Sequence, residues 1–285
     1  MKITNEFVSH GGVQMVVNHF SKSTNCDMNF AIFLPSVAKI KPVPVVWYLS
    51  GLTCTHSNVM EKGEYRSTAE ELGLAIICPD TSPRGENVPD EADNWQFGSG
   101  AGFYLDAKIS PYDKNYNMYS YVVKELPEFV QENFNVNIKS QGIMGHSMGG
   151  HGAITIALKN NKIYSSCSAF APISQPSTAS WTKVAFEKYL GMNKKTWREY
   201  DSTCLIEDGY HFSEILIDQG KEDEFLDTGL RPHLLEKICA QTKIKLSLNL
   251  RDGYDHSYYF VSSFMRSHLQ YHHSKLSLNS PSVIL

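Results

Sequence analysis

Short apolar runs rich in branched residues recur along the chain, separated by stretches with helical spacing. The runs are FAIFLP (30–35), PVVWYLS (44–50), LAIICP (74–79), GIMGH (142–146), SCSAFAP (166–172), EILIDQG (214–220) and IKLSLNL (244–250). Several are apolar at nearly every position rather than every second one, the pattern of strands buried on both faces. The segments 60–73, 119–134, 148–161, 231–242 and 257–272 repeat their apolar residues at helical intervals and predict helices. Strand alternating with helix predicts the α/β class, with a mostly parallel central sheet and helices on both faces.

No internal repeat, low-complexity tract or charged linker divides the chain, so a single domain over residues 1–285 is expected. The longest irregular piece, DTSPRGENVPDEADNWQFGSGAGFYLDA (Asp80–Ala107), is broken by Gly and Pro and follows a strand. It is expected to drape over the C-terminal edge of the sheet. Its GSGAG lacks the preceding strand and following amphipathic helix that a dinucleotide-binding fingerprint requires.

Composition narrows the partners. A formal net charge of −4 offers no basic excess for phosphates, so neither nucleic acid nor an anionic membrane surface is an expected partner. The longest apolar runs are too short to cross a bilayer and the N-terminal stretch has no apolar core of a secretion signal, which makes the cytoplasm the expected location. The SKL at 274–276 is internal, and that address is read only at the extreme C-terminus. The six cysteines contain no C-x-x-C pair and are expected as buried thiols, with Cys54 set apart by its position. His146 and His151 are five apart, not the four of a zinc-binding helix, and no metal or organic cofactor is expected.

The chemistry is concentrated in GIMGHSMGGHG (142–152), where Ser147 sits in a G-x-S-x-G frame at the junction of a strand and a helix. Such a nucleophile elbow needs small flanking residues, supplied by Gly145 and Gly149. A serine hydroxyl is a poor nucleophile at neutral pH, so a downstream acid and then a histidine base are required. Among eleven histidines, His256 in RDGYDHSYYF lies in a polar loop after one strand and before the last helix, and is the expected base, with His233 its nearest rival. His10 and His19 are expected to precede the sheet. The acid lies in EILIDQGKEDEFL, where Asp218, Glu222, Asp223, Glu224 and Asp227 all qualify by spacing. The oxyanion donors are expected at the Met148 N–H and at Leu52 or Thr53, turned inward by Gly51, with Cys54 then close to the reacting centre.

Taken together, LSGLTC, PDTSPRG, GAGFYLDA, GHSMGGHGA, DQGKEDEFL and GYDHSYYF resemble the S-formylglutathione hydrolases, the esterase D family of α/β-hydrolases. The resemblance runs from about residue 25 to about residue 270. It implies a serine enzyme that hydrolyses the thioester S-formylglutathione to glutathione and formate in formaldehyde detoxification, with side activity on small carboxylic esters. Carried over by motif, it implies Ser147 as nucleophile, Asp223 as orienting acid, His256 as base, Leu52 and Met148 as oxyanion donors, and Cys54 as a thiol beside the site. It also suggests a homodimer. Trp181, between the elbow and the acid, is a candidate wall of the substrate pocket. Where the family often has Asn-Phe after GLTC, this chain has Val59, with Glu61 and Lys62 nearby, so the pocket wall there is expected to differ. The alternatives on the same fold are a general short-chain carboxylesterase and an acyltransferase.

Overall fold

The structure, a computed structural model, describes residues 1–91 and 94–277. Nine strands form one sheet: β1 (Lys2–Ser9), β2 (Gly12–Ser21), β3 (Cys26–Leu34), β4 (Val43–Leu49), β5 (Ala75–Pro79), β6 (Val136–His146), β7 (Tyr164–Phe170), β8 (Glu214–Gly220) and β9 (Lys245–Arg251). Their order is β1-β2-β3-β5-β4-β6-β7-β8-β9. The pairs from β5 across to β9 are parallel, while β1, β2 and β3 join in antiparallel fashion. The seven apolar runs all became strands, and β4, β5 and β7 are buried almost throughout.

The N-terminal hairpin β1–β2 departs from the sequence reading. His19 lies within the sheet, on β2, with its Nε2 2.9 Å from the Tyr121 hydroxyl, and His10 forms the hairpin turn rather than preceding the sheet. β1 is an edge strand exposed along nearly its whole length, so it carries none of the apolar continuity that marked the other strands. The usable signal was the turn: His10 (φ 53°) and Gly11 (φ 95°) both take left-handed conformations, as a two-residue hairpin of mirror-image type demands. The segment 60–73 is likewise two helices, His56–Lys62 and Arg66–Leu72, with the chain reversed at Glu64 (φ 53°). Three further short helices, Lys183–Leu190, Lys194–Arg198 and Ser202–Glu207, fill the stretch between β7 and β8.

Alternation along β7 shows how the sheet is covered. Ser166 and Ser168 hydrogen-bond to histidines of the C-terminal helix Tyr258–Ser277, whereas Cys167 between them approaches the Ala153 carbonyl of the helix Met148–Lys159. Neighbouring strand residues point to opposite faces, so these two helices cover opposite sides. The helix Met148–Lys159 is buried from Met148 through Leu158, which explains its nearly uniform apolar and small-residue sequence. Among the described residues, no helix is long and apolar enough to cross a membrane.

A buried polar chain fastens the C-terminal helix. Ser166 Oγ lies 2.6 Å from His272 Nδ1, His272 Nε2 lies 2.9 Å from Ser168 Oγ, Ser168 Oγ lies 2.8 Å from His268 Nδ1, and His268 Nε2 lies 3.2 Å from Asp218 Oδ2. Arg251 closes it with Nε 3.0 Å from Asp218 Oδ1. With Asp218 as acceptor at one end, each neutral imidazole donates from Nε2 and accepts at Nδ1, so every polar atom of the chain is satisfied. Gly142 makes room for it: a Cβ there would lie 2.4 Å from Ser166 Oγ and 2.5 Å from His272 Nδ1.

The strand order reverses about β4, with β5 on one side and β6 on the other. Ligands of open α/β sheets bind outside the carboxyl ends of the strands at such a reversal. Here those ends lead into Ser50–Gly51–Leu52 after β4 and Ser147 after β6.

Candidate active site

β6 ends at His146 and the next helix starts at Met148, leaving Ser147 alone at the turn with φ 57° and ψ −118°. This left-handed backbone is costly for a residue with a side chain. It is held by the Ser147 N–H, which donates to the Phe170 carbonyl at 2.9 Å, and by the Ser147 carbonyl, which accepts from the His151 N–H at 3.0 Å. The flanking glycines are compulsory because the turn packs against backbone. A Cβ at Gly145 would lie 2.3 Å from the Gly149 carbonyl oxygen, and one at Gly149 would lie 1.9 Å from that of Leu49.

The loop after β4 lies directly alongside. A Cβ on Gly51 would be 3.1 Å from that of Ser147. The Thr53 N–H is committed to the Gly100 carbonyl at 2.9 Å, whereas Leu52, the other expected donor, lines the cavity beside Ser147. Met148, at the first position of its helix, carries an N–H that helix geometry leaves without an internal partner. Two features of the 80–107 segment buttress this loop. Gly100 packs so closely that a Cβ would lie 2.8 Å from Thr53 Cα, and the Tyr104 hydroxyl donates to the Ser50 carbonyl at 2.9 Å. The GSGAG stretch thus serves backbone-to-backbone docking.

His256 Nδ1 lies 2.6 Å from Asp223 Oδ2. The same carboxylate accepts from Gln219 Nε2 at 3.1 Å and, through Oδ1, from the Phe225 N–H at 2.9 Å, and it is 5% exposed. The four other acidic candidates separate cleanly. Asp218 is engaged by His268 and Arg251, while Glu222, Glu224 and Asp227 are exposed. Burial would raise the Asp218 carboxyl, yet the His268 hydrogen bond and the Arg251 charge hold it below its ordinary range. His256 is braced between two rings, His146 at 4.5 Å and Phe225 at 5.1 Å between centroids. Burial, reinforced by the charge His256 can carry, keeps His146 well below the ordinary histidine range and therefore neutral.

A cavity of about 220 Å³ joins these groups. Gly51, Leu52, Ser147 and His256 line one part, and Trp95, Trp181 and Phe225 form an aromatic wall. Trp181 is therefore placed at the pocket, packed 5.8 Å from Trp95 and 6.2 Å from Phe225 between ring centroids. Trp95 and Phe225 were not singled out from sequence, and His146 was weighed there only as a metal ligand. Phe225 stands two residues beyond the acid, and Trp95 belongs to the Gly/Pro-rich loop already expected above the sheet edge. Val59 does not shape the wall: it is fully buried in the core on the helix His56–Lys62, and it lines no part of the cavity formed by the described residues. His233 lies on the helix Pro232–Cys239 and is not among the described residues that line this cavity. Nor do three His, Cys, Asp or Glu side chains converge as metal ligands among the described residues.

Residues 21–271 match the family model described as putative esterase. The chain is 49% identical over 265 residues to a mouse S-formylglutathione hydrolase, covering 92% of this chain and 94% of that one. A Paracoccus denitrificans S-formylglutathione hydrolase is 48% identical over 268 residues, 94% of this chain and 95% of its own. The chain belongs to the S-formylglutathione hydrolase family. A solved structure of an S-formylglutathione hydrolase from Agrobacterium tumefaciens superposes with a TM-score of 0.96 at 56% identity, covering 97% of this chain and all of that one.

In this member of the family, Cys54 lines the cavity and is half-buried. Burial pushes its thiol up, with the neighbouring Tyr258 hydroxyl acting against the shift. A thiol kept protonated is a poor nucleophile, so Cys54 is expected to sit beside the chemistry rather than in it. Cys54→Ser is expected to keep kcat within a few-fold of the parent and to lose inhibition by alkylating reagents in a progress-curve assay. Inactivity of that variant would assign the sulfur a chemical role.

Proposed function

We propose that this chain is a serine thioesterase that hydrolyses S-formylglutathione to glutathione and formate, with side activity on small carboxylic esters. The observation that carries the proposal is the 2.6 Å pairing of His256 with Asp223 at the rim of the cavity that also holds the Ser147 elbow. The substrate is taken from the family, whose members named above are S-formylglutathione hydrolases over nearly the full chain.

In the first half-reaction Ser147 Oγ attacks the formyl carbon while its proton passes to His256 Nε2. Asp223, hydrogen-bonded to Nδ1, holds the ring in the required tautomer and stabilises the imidazolium. The negative charge on the carbonyl oxygen is received by the Leu52 and Met148 N–H groups, which need no reorganisation because the elbow and the docked loop fix them. The carbon–sulfur bond then breaks, and His256 returns its proton to the departing glutathione sulfur. In the second half, water gives its proton to His256 and attacks the formyl-serine ester, and formate leaves as Ser147 recovers its proton. A cavity of about 220 Å³ is suited to a small acyl group.

The test is loss of thioester absorbance with synthetic S-formylglutathione, beside S-acetylglutathione and p-nitrophenyl acetate. The formyl thioester is expected to have the highest kcat/KM. Faster turnover of the simple ester than of the formyl thioester would replace this assignment with a general short-chain esterase.

A further inference from the structure

The aromatic wall of the cavity depends on a residue that does not line it. Gly229 is buried behind Trp181, and a Cβ built on it would lie 2.1 Å from the indole Cζ2, 2.5 Å from Cε2 and 2.7 Å from Nε1. These are far inside the roughly 3.5–4.0 Å of an ordinary carbon contact. Something must move by more than an ångström if a methyl is added, and the backbone at 229 is the less able to do so. The Gly229 and Leu230 N–H groups both donate to the Phe225 carbonyl at 3.0 Å, the Arg231 N–H donates to Leu226 at 2.8 Å, and the Leu230 carbonyl accepts from Ser174 at 2.9 Å. Gly229 is not among the glycines with a left-handed φ, so an alanine there meets no backbone penalty and its effect is confined to the contact. The indole yields instead, and its open side is the cavity it lines with Trp95 and Phe225.

We infer that Gly229 is a specificity-determining residue: by lacking a side chain it lets the Trp181 indole sit back, and so fixes how bulky a thioester the pocket admits. This rests on the proposed reading of the cavity as the substrate site. The same loop carries the orienting acid and Phe225, whose N–H holds Asp223. One short segment, 223–230, therefore sets both the tautomer of the base and the width of the pocket.

The experiment measures kcat/KM of Gly229→Ala on formyl, acetyl and butyryl thioesters of glutathione and on p-nitrophenyl acetate and butyrate. The loss is expected to grow at least tenfold from the smallest to the largest acyl group. Trp181→Phe, whose smaller ring stops short of position 229, is expected to remove most of that gradient when combined with Gly229→Ala. An equal loss on every substrate, or a gradient untouched by Trp181→Phe, overturns the inference. If Gly229→Ala does not yield folded protein, Trp181→Ala alone must shift preference toward butyryl substrates, and an unchanged preference overturns it. A graded loss on nitrophenyl esters in an enzyme that does not favour S-formylglutathione would remove the substrate assignment and leave Gly229 in its role.

Discussion

Asp223→Asn is expected to lower kcat by about 10⁴-fold, the order found when the orienting carboxylate of a serine hydrolase triad is neutralised. Asparagine keeps the size of the side chain, but its amide can present an N–H to His256 Nδ1 and so favour the tautomer whose Nε2 already carries a proton. Such a histidine cannot take the Ser147 proton. Folding should survive, because the oxygen that accepts from the Phe225 N–H is kept, and the Gln219 amide, which donates to the atom the new NH2 replaces, can turn its own oxygen toward that NH2. Asp218→Asn, only five residues away, should do the reverse. Asp218 anchors His268 and Arg251 inside the buried chain that fastens the C-terminal helix, so its neutralisation should destabilise the fold by on the order of 3 kcal/mol while folded enzyme keeps near-normal kcat. Steady-state kinetics paired with thermal unfolding of both variants separates the two. A mild kinetic effect at Asp223 with a severe one at Asp218 would move the acid.

Acid should unfold this protein early and steeply. Burial holds His146, His268 and His19 below the ordinary histidine range, with partial opposition from Asp218 at His268 and from Glu125 at His19. It lowers His151 to about 4, opposed by Asp201, and His272 to about 3, with the charge of His268 acting in the same direction. Each of these five therefore takes up its proton at a lower pH in the native state than in the unfolded chain, where histidine titrates near pH 6.5. Their contribution is therefore fully present above pH 6.5 and is lost as the pH falls from there toward the native values. A histidine kept neutral through that window costs about 1.4 kcal/mol per pH unit, so His151 and His272 alone are worth a sizeable part of the roughly 5–15 kcal/mol that stabilises a typical domain. The expected outcome is a fall in Tm of about 10–20 °C between pH 6.5 and pH 5, followed by circular dichroism. A flat Tm over that interval would mean that these imidazoles already carry charge in the folded protein.

What was legible in the sequence was whatever depends on local pattern. Strands buried on both faces advertise themselves as nearly continuous apolar runs, which is why β4 through β8 could be located, whereas the half-exposed edge strand β9 was marked by the alternation in IKLSLNL and the exposed edge strand β1 by neither pattern. The elbow was legible because its chemistry and its sterics are both local: a strained serine needs glycines two residues to either side, and the motif spells that out. Conserving a short helix-like period over 60–73 hid the left-handed break at Glu64, since periodicity carries no record of a single residue's backbone.

The sequence by itself determined the α/β class, the nucleophile frame, the histidine loop and, through the combined motifs, the enzyme family. Spacing left five acidic residues open and only the family resemblance pointed to Asp223; the tertiary structure supplied the physical ground, because Asp218 and Asp223 differ not in spacing but in which partner the folded chain brings to each. The tertiary structure alone committed the Thr53 N–H to Gly100 and set Trp181 against Gly229, 48 positions later in the chain. Contacts between residues so far apart in the chain are made by the topology of the sheet, whose reversal about β4 gathers the strand ends, and no local pattern of residues encodes them.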